Sequence, residues 1–167
     1  LGLAEDDVLV CSTGVIGQQI NIAAIESGME KLCEGLSRDG NVAAREAIMT
    51  TDTRHKEAAV KTVIGGKAVT LGTMAKGSGM IHINMGTMLG FITTDCAITP
   101  RMLDRALRES VETTYNCVSV DGDTSTNDTL LALANGLAGN RLISSPNADY
   151  RAFVAALNEL NVEMAKR

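Results

Sequence analysis

The chain of 167 residues is long enough to bury the core of one globular domain. Hydrophobic residues make up 45% of it and aromatic residues only 2%, so the core must consist of aliphatic side chains and methionine. The formal net charge is −5 and the basic residues are scattered, which argues against nucleic acid as a partner.

The first part of the chain predicts a strand followed by two helices. Residues 8–11 form a short apolar run that predicts a buried strand, which ends at Ser12-Thr13-Gly14. Apolar residues at helical spacing predict a helix over residues 20–32, broken or ended near Gly28. A second, short helix is expected over residues 42–49.

The middle of the chain predicts three strands. Residues 58–64 and 67–74 are β-branched runs on either side of Gly65-Gly66, and two glycines at that place predict a hairpin. A glycine-rich loop follows at residues 76–79. Residues 88–94 then predict another buried strand.

Helices dominate the predicted last part of the chain. Thr99-Pro100 predicts a helix start, since Thr caps the helix and Pro suits its first position. Residues 121–128 predict a polar loop, residues 129–137 a short helix, and Pro146-Asn147 the start of the final helix. Apolar residues are expected on the buried face of the Thr99 helix, namely Leu103, Ala106, Leu107 and Val111, with Thr114 beside them.

Strands that alternate with helices predict an α/β or α+β fold in a single domain. The chain begins with Leu1 rather than Met, and no Gly or Pro stop signal follows the final helix before Arg167. We therefore expect the sequence to be part of a longer protein. Apolar residues of the final helix recur at helical spacing almost to its end, at Tyr150, Phe153, Leu157, Leu160 and Met164.

The cysteines and the hydropathy pattern both indicate a cytoplasmic location. The four cysteines are far apart in the sequence, with no CxxC pair, which is typical of a reducing compartment. No apolar run approaches the roughly 20 residues of a membrane span, and no basic-then-apolar leader is present. We therefore expect no membrane partner.

Common cofactor and metal motifs nearly match but each fails at a required residue. Gly66-Lys67 is followed by Ala, where a P-loop needs Ser or Thr, and Gly77-Ser78-Gly79 lacks the third glycine of a dinucleotide site. The loop that starts at Asp121 lacks the Gly and the Glu of a calcium loop. Solvated or structural roles are expected for His55 and His82. The sequence therefore predicts no bound cofactor and no metal.

Threonine beside glycine and lysine is the remaining pattern with a chemical meaning. Thr is a poor nucleophile unless a base lies beside it, and the α-amino group of an N-terminal Thr can be that base. Such an amine has a pKa of about 7.7–8.0, close to working pH. The residues alone leave the question open, because Thr is also common in strands for its β-branched shape.

The segment AKGSGMIHINMGTML, residues 75–89, resembles the self-cleavage segment of the ornithine acetyltransferases, enzymes of arginine biosynthesis. Three further segments match in the expected order: STGVIG at residues 12–17, MTTDT at 49–53 and VDGDTSTND at 120–128. Together they span residues 12–128, which is most of the chain. The resemblance implies a layered α/β/β/α sandwich, shared with related aminopeptidases.

The resemblance also implies a reaction. The chain would cut itself between Gly86 and Thr87, giving an α-chain part, residues 1–86, and a β-chain part, residues 87–167. Thr87 would then accept the acetyl group of N-acetylornithine, release ornithine and pass the acetyl group to glutamate. Some members of the family also use acetyl-CoA as the donor, so the resemblance implies that acetyl-CoA would be an alternative co-substrate.

Site residues follow from the same resemblance. Thr13 and Gly14 would bind the oxyanion, a role that suits a hydroxyl and a backbone N–H. Thr50, Lys76 and Thr87 would contact the substrate, and a fixed cation at Lys76 suits a carboxylate. The two cleaved chains would form a hetero-oligomer that dimerises further.

The sequence departs from the family pattern at two positions near the cleavage point. Gly86 stands where members usually have Ala, and Ile83 stands where they have Pro. Two alternatives remain open at this stage. One is a related self-processing aminopeptidase with an N-terminal nucleophile, and the other is a non-catalytic fragment that binds amino acids.

Overall fold

The computed structural model describes residues 1–82 and 88–167. The described residues form four helices and four strands, which fits the predicted α+β class. In chain order these are α1 Ile22–Glu34, α2 Asn41–Ala47, β1 Lys56–Ile64, β2 Lys67–Lys76, β3 Leu89–Thr94, α3 Pro100–Glu112, β4 Thr129–Ala134 and α4 Ala148–Ala165, with short 3-10 turns at Glu5–Asp7 and Tyr115–Cys117.

The four strands form one sheet in the order β1-β2-β3-β4. β1, β2 and β3 are antiparallel neighbours, whereas β4 lies parallel to β3 after a connection that contains α3. The register sets Lys76 at the end of β2 opposite Leu89 at the start of β3. The end of β2, before residues 83–87, and the start of β3, after them, therefore lie side by side at the same edge of the sheet.

The hairpin between β1 and β2 turns at the two glycines, as predicted. Gly65 has φ of 56° and Gly66 has φ of 77°, values that favour glycine because a side chain would clash with the backbone. The N–H of Gly65 also donates to Oδ1 of Asp149 at 3.2 Å, which ties the turn to the start of α4.

Helices α3 and α4 pack against one face of the sheet and form the core with it. Thr99 caps α3 and Asn147 caps α4, and each side chain accepts a backbone N–H of the first turn. The predicted inner face of α4 is confirmed, since Tyr150, Phe153, Leu157, Leu160 and Met164 are all at least nine-tenths buried. On α3, by contrast, the fully buried residues are Met102, Ala106 and Ser110, and Leu103 and Leu107 are half-buried.

The helix predicted over residues 129–137 is wrong, because Thr129–Ala134 forms strand β4. Leu and Ala favour a helix locally, yet here they pair with β3 along its whole length, from Leu89 opposite Thr129 to Thr94 opposite Ala134. Pairing and packing against the core override the local preference, which the sequence of this short segment does not reveal.

Two predictions for the first part of the chain are also wrong. Residues 8–11 are irregular rather than a buried strand, and Val10 exposes 84% of its surface. Gly28 lies inside α1 and neither breaks nor ends it. Neither α1 nor α2 has a buried residue. The apolar spacing that predicted α1 is therefore not matched by a buried face, whereas α2 contacts β1 through an ion pair of Arg45 with Glu57.

The mixed α+β class is thus confirmed at the level of one sheet with α3 and α4 on one face. The α/β/β/α sandwich requires a second sheet, and residues 1–82 and 88–167 form one sheet only. The sandwich stays a prediction, as does the division of the chain at residue 86.

Candidate functional site

The candidate site lies at the edge of the sheet where β2 ends and β3 begins. Lys76 is the last residue of β2 and exposes only 2% of its surface, although it is a lysine at a strand end. A lysine buried to this extent needs polar partners, because removing an ammonium group from water is unfavourable.

The ammonium group of Lys76 has one direct hydrogen bond among the described residues, from Nζ to Oγ1 of Thr13 at 3.4 Å. Burial lowers the pKa of Lys76, and the negative charges of Asp52 and Asp128 oppose this effect in part. Within residues 1–82 and 88–167, the arrangement therefore places a buried cation that has no direct carboxylate partner next to a threonine hydroxyl.

Thr13 and Gly14 belong to an irregular segment rather than to a strand end. Besides Lys76, this segment is held by Asn127, whose side-chain amide donates to the carbonyl oxygen of Ser12. Thr13 is half-buried and Gly14 is exposed. Hydrogen bonds donated by two side chains, not sheet pairing, thus hold the predicted oxyanion residues beside Lys76.

Asp52 organises the other side of the site, and the sequence analysis did not identify it. Its carboxylate exposes 1% of its surface and accepts from Lys56 Nζ at 2.5 Å, from the N–H of Gly77 at 2.9 Å and from the N–H of Thr50 at 3.4 Å. Burial acts to raise the pKa of Asp52, but these hydrogen bonds outweigh it and the pKa is lowered. The only sequence signal was a single acidic residue within the threonine-rich segment.

A second contact joins the same two segments. The hydroxyl groups of Thr51 and Ser78 lie 2.7 Å apart and share a hydrogen bond. Together with Asp52, this pair fixes the turn that follows β2 against residues 50–53. Two of the segments that carry the family resemblance are therefore in direct contact.

Two aspartates of the polar loop hold the residues on either side of residues 83–87. Asp121 accepts from the N–H groups of Met80 at 2.5 Å and Ile81 at 3.0 Å, and Met80 has a φ of 56°, unusual for a residue with a side chain. Asp128 accepts from the N–H of Met88 at 2.8 Å. The loop thus has the structural role that Asp side chains commonly take in turns.

The predicted site residues fall into three groups. Thr13 and Lys76 are in contact, with Gly14 beside Thr13. Thr50 is exposed and joins the site through its N–H and the carboxylate of Asp52. Gly86 and Thr87, the predicted cleavage point and nucleophile, lie outside the described residues.

A cavity of about 310 Å³ opens beside Lys76 on the side of α4. Apolar residues line much of it, four cationic residues contribute to its wall, and Tyr115 is among its buried residues. Its lining includes Arg54, Lys56, Lys76, Tyr115, Met88 and Met164.

The described residues show no group of three or more His, Cys, Asp or Glu side chains placed to share a metal ion. His82 shares a hydrogen bond with the hydroxyl of Ser119 at 3.0 Å, a contact that fits a structural role. Within the part of the chain that is described, no helix has the length and apolar character to cross a membrane.

Comparison with known proteins gives a consistent result over the full chain. The ArgJ family matches residues 1–167. The arginine biosynthesis bifunctional protein ArgJ of Symbiobacterium thermophilum is 51% identical over 166 residues, and so is ArgJ 1 of Clostridium acetobutylicum. Each alignment includes 99% of this chain and 41% of the relative, so the chain spans less than half of these proteins.

Among solved structures, the PH0078 protein from Pyrococcus horikoshii OT3 is 16% identical with a TM-score of 0.39. The match covers 66% of this chain and 38% of that one. A likeness at this level carries no argument about the fold or the function.

Proposed function

The chain belongs to the ArgJ family, and we propose that it forms part of the catalytic region of an ornithine acetyltransferase. The reaction moves the acetyl group of N-acetylornithine to glutamate, with acetyl-CoA as an alternative donor. The observation that carries the proposal is the contact between Lys76 and Thr13, at the edge of the sheet that borders residues 83–87.

Thr87 is the proposed nucleophile. Its α-amino group takes the proton of its own hydroxyl, and Oγ1 attacks the acetyl carbonyl carbon. The amine of ornithine then leaves with that proton, and the acetyl group remains as an ester on Thr87. Attack by the amine of glutamate on this ester gives N-acetylglutamate and restores the hydroxyl.

Thr13 and Gly14 are the proposed oxyanion residues. The hydroxyl of Thr13 accepts from the Lys76 ammonium group, so its own proton is available to a developing oxyanion. The positive charge of Lys76 also makes that hydroxyl a stronger donor. The N–H of Gly14 would supply the second hydrogen bond.

Substrate binding is assigned to Lys76, with Thr50 and Thr87 as further contacts. Lys76 is a buried cation with no direct carboxylate partner in the described part of the chain, and the α-carboxylate of an amino acid would match it. Asp52 acts as a positioning residue here, because it fixes Gly77 directly after Lys76 and fixes the backbone of Thr50.

The nucleophile is made available by self-cleavage between Gly86 and Thr87. The Thr87 hydroxyl attacks the carbonyl carbon of Gly86, and the amide nitrogen leaves as the free α-amino group. Water then hydrolyses the resulting ester to a carboxylate on Gly86. The two resulting chains stay together as a hetero-oligomer, which dimerises further.

A layered α/β/β/α sandwich is the proposed fold of the whole protein. The sheet face opposite α3 and α4 supports it, since Val63 and Leu133 on that face expose 66% and 58% of their surface. A second sheet on this face would bury them.

The test is acetyl transfer by the purified protein. With N-acetylornithine and glutamate as substrates, we expect N-acetylglutamate and ornithine in equal amounts, measured by chromatography. Release of free amino acids from peptides without acetyl transfer would favour the aminopeptidase alternative. Binding of amino acids without either reaction would favour the non-catalytic one.

A further inference from the structure

The cavity beside Lys76 has a one-sided distribution of charge. Four cationic residues line it, and the described residues of its wall include no aspartate or glutamate. Lys56 is neutralised by Asp52 at 2.5 Å. A pocket wall with this charge favours an anionic ligand.

Of the other three cationic residues, one is paired with a carboxylate and two are not. The Arg167 side chain pairs with Glu163 at 2.9 Å. Arg54 and Lys76, by contrast, form no ion pair within residues 1–82 and 88–167. Lys76 is buried, whereas Arg54 lies at the exposed rim. The cavity therefore presents two separate cations to a ligand.

Tyr115 adds an independent observation. It exposes only 5% of its surface, packs with Ala75, Met88 and Met164, and lines the cavity. Its hydroxyl is buried and has no hydrogen-bond partner in the described part of the chain. An unsatisfied buried hydroxyl is unfavourable by about 1–3 kcal/mol, and an acceptor atom of a ligand would remove that penalty.

The hydroxyl of Tyr115 is in the correct state to donate. Burial raises the pKa of Tyr115, so the phenol stays protonated at neutral pH. The other tyrosine of the chain behaves differently, because the Tyr150 hydroxyl donates to Oε2 of Glu109 at 3.0 Å. The two tyrosines therefore differ, because only the Tyr115 hydroxyl has no partner among the described residues.

We propose that this cavity recognises the dicarboxylic acceptor, with Lys76 binding one carboxylate and Arg54 and the Tyr115 hydroxyl binding the other. The inference rests on the proposed function and adds to it the basis of acceptor selection. The methylene groups of the acceptor pack against Met88 and Met164. A volume of about 310 Å³ suits a ligand of this size.

The same charges discriminate between the two substrates. The side-chain ammonium group of N-acetylornithine would face Arg54, and like charges in a partly buried site repel. The donor side chain therefore points away from Arg54 and Tyr115. Changes at these two residues affect the acceptor and leave the donor unaffected.

The experiment compares Tyr115→Phe and Arg54→Gln with the wild type in acetyl transfer. We expect Tyr115→Phe to raise the KM for glutamate about tenfold, the effect of one hydrogen bond, with an unchanged KM for N-acetylornithine. Arg54→Gln should remove most of the preference for glutamate over glutamine. Tyr150→Phe and Arg151→Gln are matched controls outside the cavity, with wild-type KM values.

Calorimetric titration of glutamate without a donor separates this inference from the proposed function. Weaker glutamate binding by both variants supports the inference, even in a protein that transfers no acetyl group. Two results would overturn the inference even in a protein that transfers acetyl groups. One is an equal change in KM for both substrates, and the other is unchanged binding of glutamate. Thermal unfolding shows that the variants are folded, since Tyr115→Phe removes only an unpartnered hydroxyl.

Discussion

Lys76 donates a hydrogen bond from Nζ to Oγ1 of Thr13 across 3.4 Å, and this contact joins residues 63 positions apart in the sequence. It links the end of β2 to an irregular segment that no strand holds in place. The candidate oxyanion group and the candidate substrate cation therefore form a single unit. The role of Thr13 and the role of Lys76 can be tested separately, each by a substitution that leaves the other residue unchanged.

The first prediction concerns the hydroxyl of Thr13. Thr13→Val keeps the shape of the side chain but removes the donor, so kcat for acetyl transfer should fall about 100- to 1,000-fold. Thr13→Ser keeps the donor and should stay within about tenfold of the wild type. Steady-state kinetics with N-acetylornithine and glutamate measures both. A Thr13→Val variant with the wild-type kcat would remove Thr13 from the oxyanion role.

The second prediction separates function from stability at Lys76. Lys76→Met replaces a buried ammonium group by an apolar side chain of similar length, which removes an unfavourable burial of charge. The variant should unfold at the same temperature as the wild type or a higher one, and its acetyl transfer should be lost. Thermal unfolding and the transfer assay are run on the same sample. A clear loss of stability would show that Lys76 serves the fold.

The third prediction concerns Asp52, the residue that the sequence analysis missed. Asp52→Asn breaks the ion pair with Lys56 and weakens the hydrogen bond to Gly77, so the free energy of unfolding should fall by about 2–3 kcal/mol. Asp104→Asn is the control, because its pair with Arg108 is largely exposed and contributes no more than about 0.5 kcal/mol. Urea denaturation measures both. Equal effects of the two substitutions would contradict the assigned role.

The fourth prediction is the pH dependence that Asp52 produces. Its pKa in the folded protein lies below the usual value of 3.8, so the folded state holds the carboxylate charged where the unfolded state has begun to take up a proton. The stability from Asp52 is present above about pH 4 and is lost as the pH falls through the folded pKa. The difference in the free energy of unfolding between the wild type and Asp52→Asn, measured by urea denaturation, should therefore be constant near neutral pH and become smaller in acid. A difference that becomes larger as the pH falls would contradict the lowered pKa of Asp52.

Much of the fold follows from local sequence signals. The glycine pair at residues 65–66 predicts the hairpin, and Thr99 and Asn147 predict the starts of α3 and α4. These signals succeed because they act within a few residues of the chain. The helix predicted over residues 129–137 is wrong because β4 depends on a distant partner. Each residue of β4 pairs with a residue of β3 that lies 40 positions earlier in the chain.

The candidate site was predictable in its residue types but not in its contacts. Thr13 and Lys76 were identified from the resemblance, and no spacing in the sequence shows that they touch. Asp52 and Tyr115 were missed because their importance lies in burial. The 1% exposure of the Asp52 side chain, and a Tyr115 hydroxyl that has no partner among the residues described, are properties of the folded chain only.

The measurement that tests the central claim most directly is the intact mass of the purified protein, taken with its acetyl-transfer activity. We expect two chains in the wild type, the second beginning at Thr87, and one uncleaved, inactive chain in Thr87→Ala. A wild-type protein that transfers acetyl groups while residues 86 and 87 remain joined by a peptide bond would contradict it.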